Sequence, residues 1–250
     1  MDPLFDFTGK VVLVTGGSRG LGRQMVLAFA ERGADVVIAS RKLAACEDVA
    51  REVGKYGRKA LAHACHVGRW DEVGKLADAA YKHFGKVDVL INNAGMSPLY
   101  PSLEEIPEDL FDKVVGLNLK GPFRLSAIVG SRMAKGDGGS IINISSTASL
   151  NPSPTSEPYG AAKAGLNSIT RSFAFAYGPK VRVNCIVAGP FLTDISKAWD
   201  MDAFLKHSAP RLALKRGGEP NEIVGAALYL ASPSASFTSG TLVRVDGGTP

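Results

Sequence analysis

A chain of 250 residues with 45% hydrophobic content can bury a full core, and a single domain over 1–250 is the default. Its net charge of +5 is dispersed, with no dense Lys/Arg block among aromatics, which argues for a solvated surface and against a nucleic-acid partner. No apolar run is long enough for a membrane partner, the start lacks signal-peptide features, and Cys46, Cys65 and Cys185 have no metal spacing, so a metal-free cytoplasmic chain is expected.

The first apolar run, Val11-Val12-Leu13-Val14, reads as a strand near 10–15. It leads into Thr15-Gly16-Gly17-Ser18-Arg19-Gly20-Leu21-Gly22, and an alternation over 25–30 then reads as a helix. Strand, glycine-rich turn and helix are the context of a nucleotide-phosphate site. The glycines permit a tight turn and close backbone approach to a pyrophosphate, and the helix N-terminus supplies oriented N–H groups. Gly16, Ser18, Arg19, Gly20, Leu21 and Gly22 are therefore candidate cofactor contacts. A second strand near 35–40 ends in Ser40-Arg41 without the carboxylate that binds ribose hydroxyls in NAD sites. Ser40, Arg41 and Arg19 instead suit a 2′-phosphate, because guanidinium groups grip phosphate in bidentate fashion. NADP(H) is expected over NAD(H).

Strands near 59–65, 87–92, 139–145, 181–187 and 241–246 follow, alternating with helical stretches that include 71–84, 109–134 and 161–177. This pattern predicts an α/β fold: one Rossmann domain with a doubly wound, seven-stranded parallel sheet and helices on both faces. The fourth strand ends in Asn92-Asn93-Ala94-Gly95, near the cofactor edge of such a sheet. The fifth ends in Ser145-Ser146. Thirteen residues after Ser146 comes Tyr159, and four later Lys163. On a helix that pair shares one face. A free tyrosine titrates near pH ~10, and a neighbouring cation is expected to pull it toward the working range. The irregular segment 191–218 has the length of a lid over a site. Its Phe191, Leu192, Ile195, Trp199, Met201, Phe204 and Leu205 offer either an apolar wall for a substrate or the packing of the lid onto the body.

Over 10–248, these residues together resemble the short-chain dehydrogenase/reductase family, in the branch similar to 3-oxoacyl-(acyl-carrier-protein) reductase-like oxidoreductases. The resemblance is carried by Gly16, Gly20 and Gly22, the Asn-Asn-Ala-Gly run, and Asn118 in Asn118-Leu119-Lys120-Gly121. Ser146, the Tyr159/Lys163 pair and Val245-Asp246-Gly247-Gly248 complete it. It implies an NADP(H)-dependent oxidoreductase that interconverts a ketone and a secondary alcohol, with a small-molecule carbonyl or alcohol as substrate. Tyr159 is expected to act as general acid/base, Lys163 to lower its pKa and hold the nicotinamide ribose, and Ser146 to donate to the substrate oxygen. From the resemblance alone, Asn118 is expected to anchor a water that resupplies the proton. Asn93, Ala94, Gly95, Gly189 and Thr193 are expected cofactor contacts, 191–218 a substrate flap, and 109–134 and 161–177 the pairing helices of a homotetramer.

Two departures stand out. His66 replaces the family's usual aspartate near the adenine, with Val67 remaining as a backbone contact, and Ala188 replaces a proline. Two other functions fit less well. Enoyl reduction goes with a longer Tyr-to-Lys interval, and a non-catalytic NADP-binding sensor would tolerate loss of Tyr159, Lys163 or Ser146. Fold does not choose the substrate.

Overall fold

Strand β1 (Val11–Thr15) is buried along its whole length, as a continuous apolar run requires when helices cover both faces of a parallel sheet. The structure, a computed structural model, describes residues 2–152, 154–194, 196 and 199–250. Ile195 of the apolar wall lies outside the described residues. β2 (Asp35–Ser40), β3 (Ala60–Ala64), β4 (Val89–Asn92), β5 (Gly139–Ser146), β6 (Val181–Ala188) and β7 (Leu242–Val245) complete one sheet, ordered β3-β2-β1-β4-β5-β6-β7. Every pairing is parallel. The seven strands stand where the sequence put them.

The helices are α1 (Gly20–Glu31), α2 (Leu43–Gly54), α3 (Trp70–Phe84), α4 (Glu108–Val115), α5 (Gly121–Lys135), α6 (Glu157–Tyr177), α7 (Met201–Ala203) and α8 (Val224–Ala231). The sequence reads 109–134 as one helix. The structure divides it with a π-helical turn, Gly116–Lys120, where the Asn118 Nδ2 donates to the Val114 C=O at 2.9 Å. Such turns break the regular ladder and collect at functional sites. α6 begins one turn earlier than expected because Pro158 is tolerated in a first turn, where its missing N–H has no intrahelical partner.

Side chains alternate between two cores, one on each face of the sheet. Val12, Val14, Ile38 and Ile186 pack with Phe29 of α1 and Leu228 of α8. Leu13, Val37 and Ile141 pack with Leu76 of α3 and Leu125 of α5. Burying each such side chain is worth about 1.5–3 kcal/mol. Phe7 meets Phe29 edge-on, with ring centroids 4.8 Å apart. Polar bonds also lock the centre of the sheet. Asn92 Nδ2 donates to Ser126 Oγ and Asn143 Oδ1, and Asn143 Nδ2 donates to Thr170 Oγ1, all at 2.8 Å. These join β4, β5, α5 and α6.

Two features of this architecture position a site. The chain reverses its direction of travel across the sheet between β1 and β4, which opens a crevice at the C-terminal strand ends. Segment 191–218 leaves and returns at one point: Phe191 bridges Gly218, the Leu192 N–H donates to the Gly218 C=O at 2.8 Å, and the Gly218 N–H donates to the Pro190 C=O at 3.0 Å. Among the described residues, no helix is long and apolar enough to cross a membrane.

Candidate active site

β1 hands the chain directly to the glycine-rich turn. Gly16 takes a φ of 65°, a left-handed conformation that glycine adopts without steric cost, and its N–H donates to the Ala39 C=O at 2.7 Å. A Cβ on Gly22 would stand 2.2 Å from the Gly16 oxygen, so the first turn of α1 and the loop before it touch backbone to backbone. Asn93 fastens this turn to the end of β4. Its Nδ2 donates to the Thr15 C=O at 2.9 Å, while the Thr15 hydroxyl accepts from the N–H groups of Asn93 and Ala94 at 3.0 and 3.1 Å. The result is a backbone cradle at the N-terminus of α1 in which Gly16, Gly22, Asn93 and Ala94 meet, with Ser18 in the turn, Gly20 and Leu21 opening α1, and Gly95 following Ala94. The shape and donor set fit a dinucleotide pyrophosphate.

Ser146 ends β5 and Tyr159 sits in the first turn of α6, with the Ser146 hydroxyl held against the phenol. Lys163 lies one turn further along, only 3% exposed, its Nζ donating to the Ile144 C=O at 2.8 Å and standing 5.7 Å from the centre of the Tyr159 ring. A Cβ on Gly95 would be 2.8 Å from Asn118 Oδ1 and 3.5 Å from Lys163 Nζ, so both groups converge over Gly95. The structure therefore brings Asn118, Ser146, Tyr159 and Lys163 to one place. Asn118 is fully buried, and its carboxamide is engaged by protein: Nδ2 also donates to the Met96 C=O at 2.8 Å, and Oδ1 accepts the Met96 N–H at 3.3 Å.

The electrostatics correct one expectation. Burial pushes the Tyr159 phenol up rather than down, with the Ser146 hydroxyl as the opposing influence. Lys163 is itself pushed down from 10.5 to about 8 by burial, with Cys185 opposing. With Lys163 Nζ 5.7 Å from the ring centre, burial of the phenol prevails over the expected pull of the cation. Linkage then sets a testable sign. Between pH 8 and 10.5 the unfolded chain holds a proton on Lys163 that the folded one has lost. The burial penalty is thus complete below about pH 8 and fades as pH rises. Lys163→Met should raise stability by about 1–2 kcal/mol at pH 7, read as a higher urea midpoint. The gain should shrink by pH 10.

The expected 2′-phosphate group is less assembled. Arg41 is exposed at the entry to α2, while the Ser40 hydroxyl donates to the Lys42 C=O at 3.3 Å and lies 3.1 Å from Cys46 Sγ. Arg19 turns toward the entry of 191–218, where its Nη1 stands 3.5 Å from Asp194 Oδ2. β2 ends in Ser40, with no carboxylate at that position. His66 curls back on its own turn, Nδ1 accepting the Gly68 N–H at 3.2 Å. That bond gives it a turn-closing role within the chain. Val67 is buried, its C=O against Gly121.

On the opposite wall, Gly189 is packed against the backbone of Asp246, and the Thr193 side chain stands 3.6 Å from a Cβ position on Gly20. Of the apolar wall, Phe191 and Phe204 are buried, and Trp199 meets Phe204 at a tilt, with centroids 5.4 Å apart and the ring planes at 40°. These three pack the segment onto itself and the body. Tyr100 is a contact that the sequence does not advertise: its hydroxyl donates to the Glu157 carboxylate and accepts the Glu157 N–H at 2.9 Å, capping α6 two residues before Tyr159. Among the described residues, no group of three or more His, Cys, Asp or Glu could hold a metal ion.

Comparison with known proteins identifies the family of this fold. Residues 16–250 match a family model described as enoyl-(acyl carrier protein) reductase. The chain is 34% identical over its whole length to human dehydrogenase/reductase SDR family member 4, covering 89% of that protein. It is 35% identical to 7alpha-hydroxysteroid dehydrogenase of Escherichia coli, over 96% of this chain and 94% of the relative. A solved 7alpha-hydroxysteroid dehydrogenase in complex with NADH and 7-oxo glycochenodeoxycholic acid superposes with a TM-score of 0.95 at 34% identity, covering 100% of this chain and 97% of the other. NADPH-dependent 3-quinuclidinone reductase from Rhodotorula rubra gives 0.92 at 28% identity, covering 98% and 93%. The chain belongs to the short-chain dehydrogenase/reductase family and is an oxidoreductase of alcohol and carbonyl groups.

Proposed function

We propose that this oxidoreductase uses NADP(H) to interconvert a ketone and a secondary alcohol, with Tyr159 as the acid/base group. The observation that carries the reading is the meeting of Ser146, Tyr159, Lys163 and Asn118 beside the glycine cradle. Gly16, Ser18, Gly20, Leu21, Gly22, Asn93, Ala94, Gly95, Val67, Gly189 and Thr193 would hold the dinucleotide, with Ser40, Arg41 and Arg19 near its 2′-phosphate. When bound, the reduced nicotinamide supplies the hydride that reaches the carbonyl carbon.

Everything else falls to the chain. Reduction leaves negative charge on the substrate oxygen, where the Ser146 hydroxyl is placed to donate a hydrogen bond. Tyr159 then gives up its phenolic proton to that oxygen, and in oxidation it takes the proton back. A phenol raised by burial keeps its proton through neutral pH, which suits the donor role. Lys163 would hold the nicotinamide ribose and stabilise the phenolate once charge appears on it. Because the Asn118 carboxamide is engaged by Met96 and Val114, a water anchored there would bind main-chain groups of the π turn.

Segment 191–218 would serve as the lid of a one-domain enzyme. A homotetramer paired through 109–134 and 161–177 is supported by the outward aromatics Phe123 and Phe175, the latter 90% exposed. A cytoplasmic setting is supported by three buried, unpaired cysteines. The family model's description also raises carbon–carbon double-bond reduction. The four-residue Tyr-to-Lys spacing, with Ser146 against Tyr159, favours the carbonyl reading.

The test is oxidation of NADPH and of NADH with a panel of β-ketoacyl thioesters, keto sugars, α-diketones, cyclic ketones and enoyl thioesters. Faster turnover of a ketone with NADPH is the expected result. Equal rates with both cofactors would remove the NADP preference, and turnover of enoyl thioesters alone would replace the carbonyl reading.

A further inference from the structure

The Arg19–Asp194 contact joins the glycine cradle to segment 191–218. Arg19 is the residue before α1, in extended backbone, and its side chain caps nothing in that helix. Its side chain is 66% exposed, and its Nη1 stands 3.5 Å from Asp194 Oδ2. Asp194 follows Thr193, whose side chain already stands over Gly20. The turn that carries Asp194 is fixed by Ser196, whose hydroxyl accepts the Thr193 N–H at 3.0 Å and donates to the Thr193 C=O at 2.8 Å. A carboxylate is thus held beside the same guanidinium that the NADP(H) reading assigns to the 2′-phosphate.

We propose that Asp194 is a specificity-determining residue: its carboxylate competes with the 2′-phosphate of NADP(H) for Arg19 and so limits the preference for the phosphorylated dinucleotide. This rests on the NADP(H) reading above. A guanidinium already drawn to one carboxylate is partly neutralised and attracts a second anion less strongly. Repulsion between Asp194 and the pyrophosphate acts alike on both dinucleotides, since both carry that group. Competition for Arg19 acts only on the one with the additional phosphate. The ratio of the two affinities therefore isolates the effect. A partly exposed ion pair is a weak one, so the change is expected to be modest.

Fluorescence titration of the intact protein with NADPH and, separately, with NADH reads both affinities. Asp194→Asn is expected to tighten NADPH by about two- to fivefold and leave NADH unchanged. Asp194→Glu, which keeps the carboxylate, should retain the wild-type ratio. Arg19→Ala should weaken NADPH, and on that background Asp194→Asn should change nothing. The gain should also shrink as salt screens the pair. If Arg19→Ala weakens NADPH while Asp194→Asn changes neither affinity, or shifts both alike, the competition is overturned and the NADP(H) reading stands. If Arg19→Ala and Arg41→Ala both leave the NADPH-to-NADH ratio at its wild-type value, the NADP(H) reading fails and this inference with it.

Discussion

Tyr159→Phe is expected to lower turnover by about 10²- to 10⁴-fold, the range spanned by single general acid/base groups, with NADPH affinity essentially unchanged. Phenylalanine keeps the ring that packs in the first turn of α6 and removes only the hydroxyl beside Ser146. Lys163 keeps its bond to the Ile144 C=O, and the glycine cradle is untouched. Binding and chemistry should therefore separate: the fluorescence titration stays at wild type while kcat collapses. Wild-type kcat in this variant would sink the acid/base assignment. Parallel loss of binding and turnover would instead mean that the hydroxyl holds the fold of the site.

Gly22→Ala is expected to have the largest effect away from the proton donor. The added carbon would meet the Gly16 oxygen at 2.2 Å and the Asn93 Nδ2 at 2.5 Å. The first neighbour is backbone and cannot swing aside. The second is the side chain that fastens β4 to the turn, so moving it breaks its bond to the Thr15 C=O. Overpacking of this kind costs about 3 kcal/mol of stability, and opening the turn spoils the backbone approach on which a pyrophosphate depends. The urea midpoint should fall, and NADPH affinity should drop by about a hundredfold. Gly74→Ala is the matched control. It lies inside α3 with nothing within 4 Å of its Cβ position, so it should gain about 0.5–1 kcal/mol. Equal behaviour of the two variants would show that the close approach at Gly22 does not matter.

The sheet was legible because its strands are carried by the period and length of apolar runs, as in Val11-Val12-Leu13-Val14 and Ile141-Ile142-Asn143-Ile144. Tyr159 and Lys163 were legible because four-residue spacing on a helix has one geometric meaning. What stayed hidden depends on contacts between segments distant in sequence. The π turn at Gly116–Lys120 carries a side-chain bond from Asn118 back to the Met96 C=O after β4, and no periodicity marks it. The upward shift of Tyr159 follows from packing density around the ring, and the commitment of Lys163 to Ile144 follows from how α6 lies on β5. Spacing encodes neither. Arg19 could be read as cationic and exposed, but its reach to Asp194 needs the path of a segment some 170 residues later. His66 likewise reads only as a replacement for an aspartate near the adenine, and its bond from the Gly68 N–H shows only in the folded turn.

The pinched base of segment 191–218 has a consequence for how such a molecule can diversify. Phe191 and Gly218 are already neighbours, and Phe191 follows closely on Ala188, the strand partner of Ser146. The span between the pinch points is therefore anchored at both ends on a frame that also carries Ser146, the proposed donor to the substrate oxygen. Grafting a longer or shorter stretch between the same two ends leaves that frame in register, and doubling its length adds only about 0.6 kcal/mol of closure entropy. On the proposed reading of 191–218 as a lid, one frame can accept many different covers, and chimaeras spliced at Phe191 and Gly218 are the natural units for exchanging substrate preference.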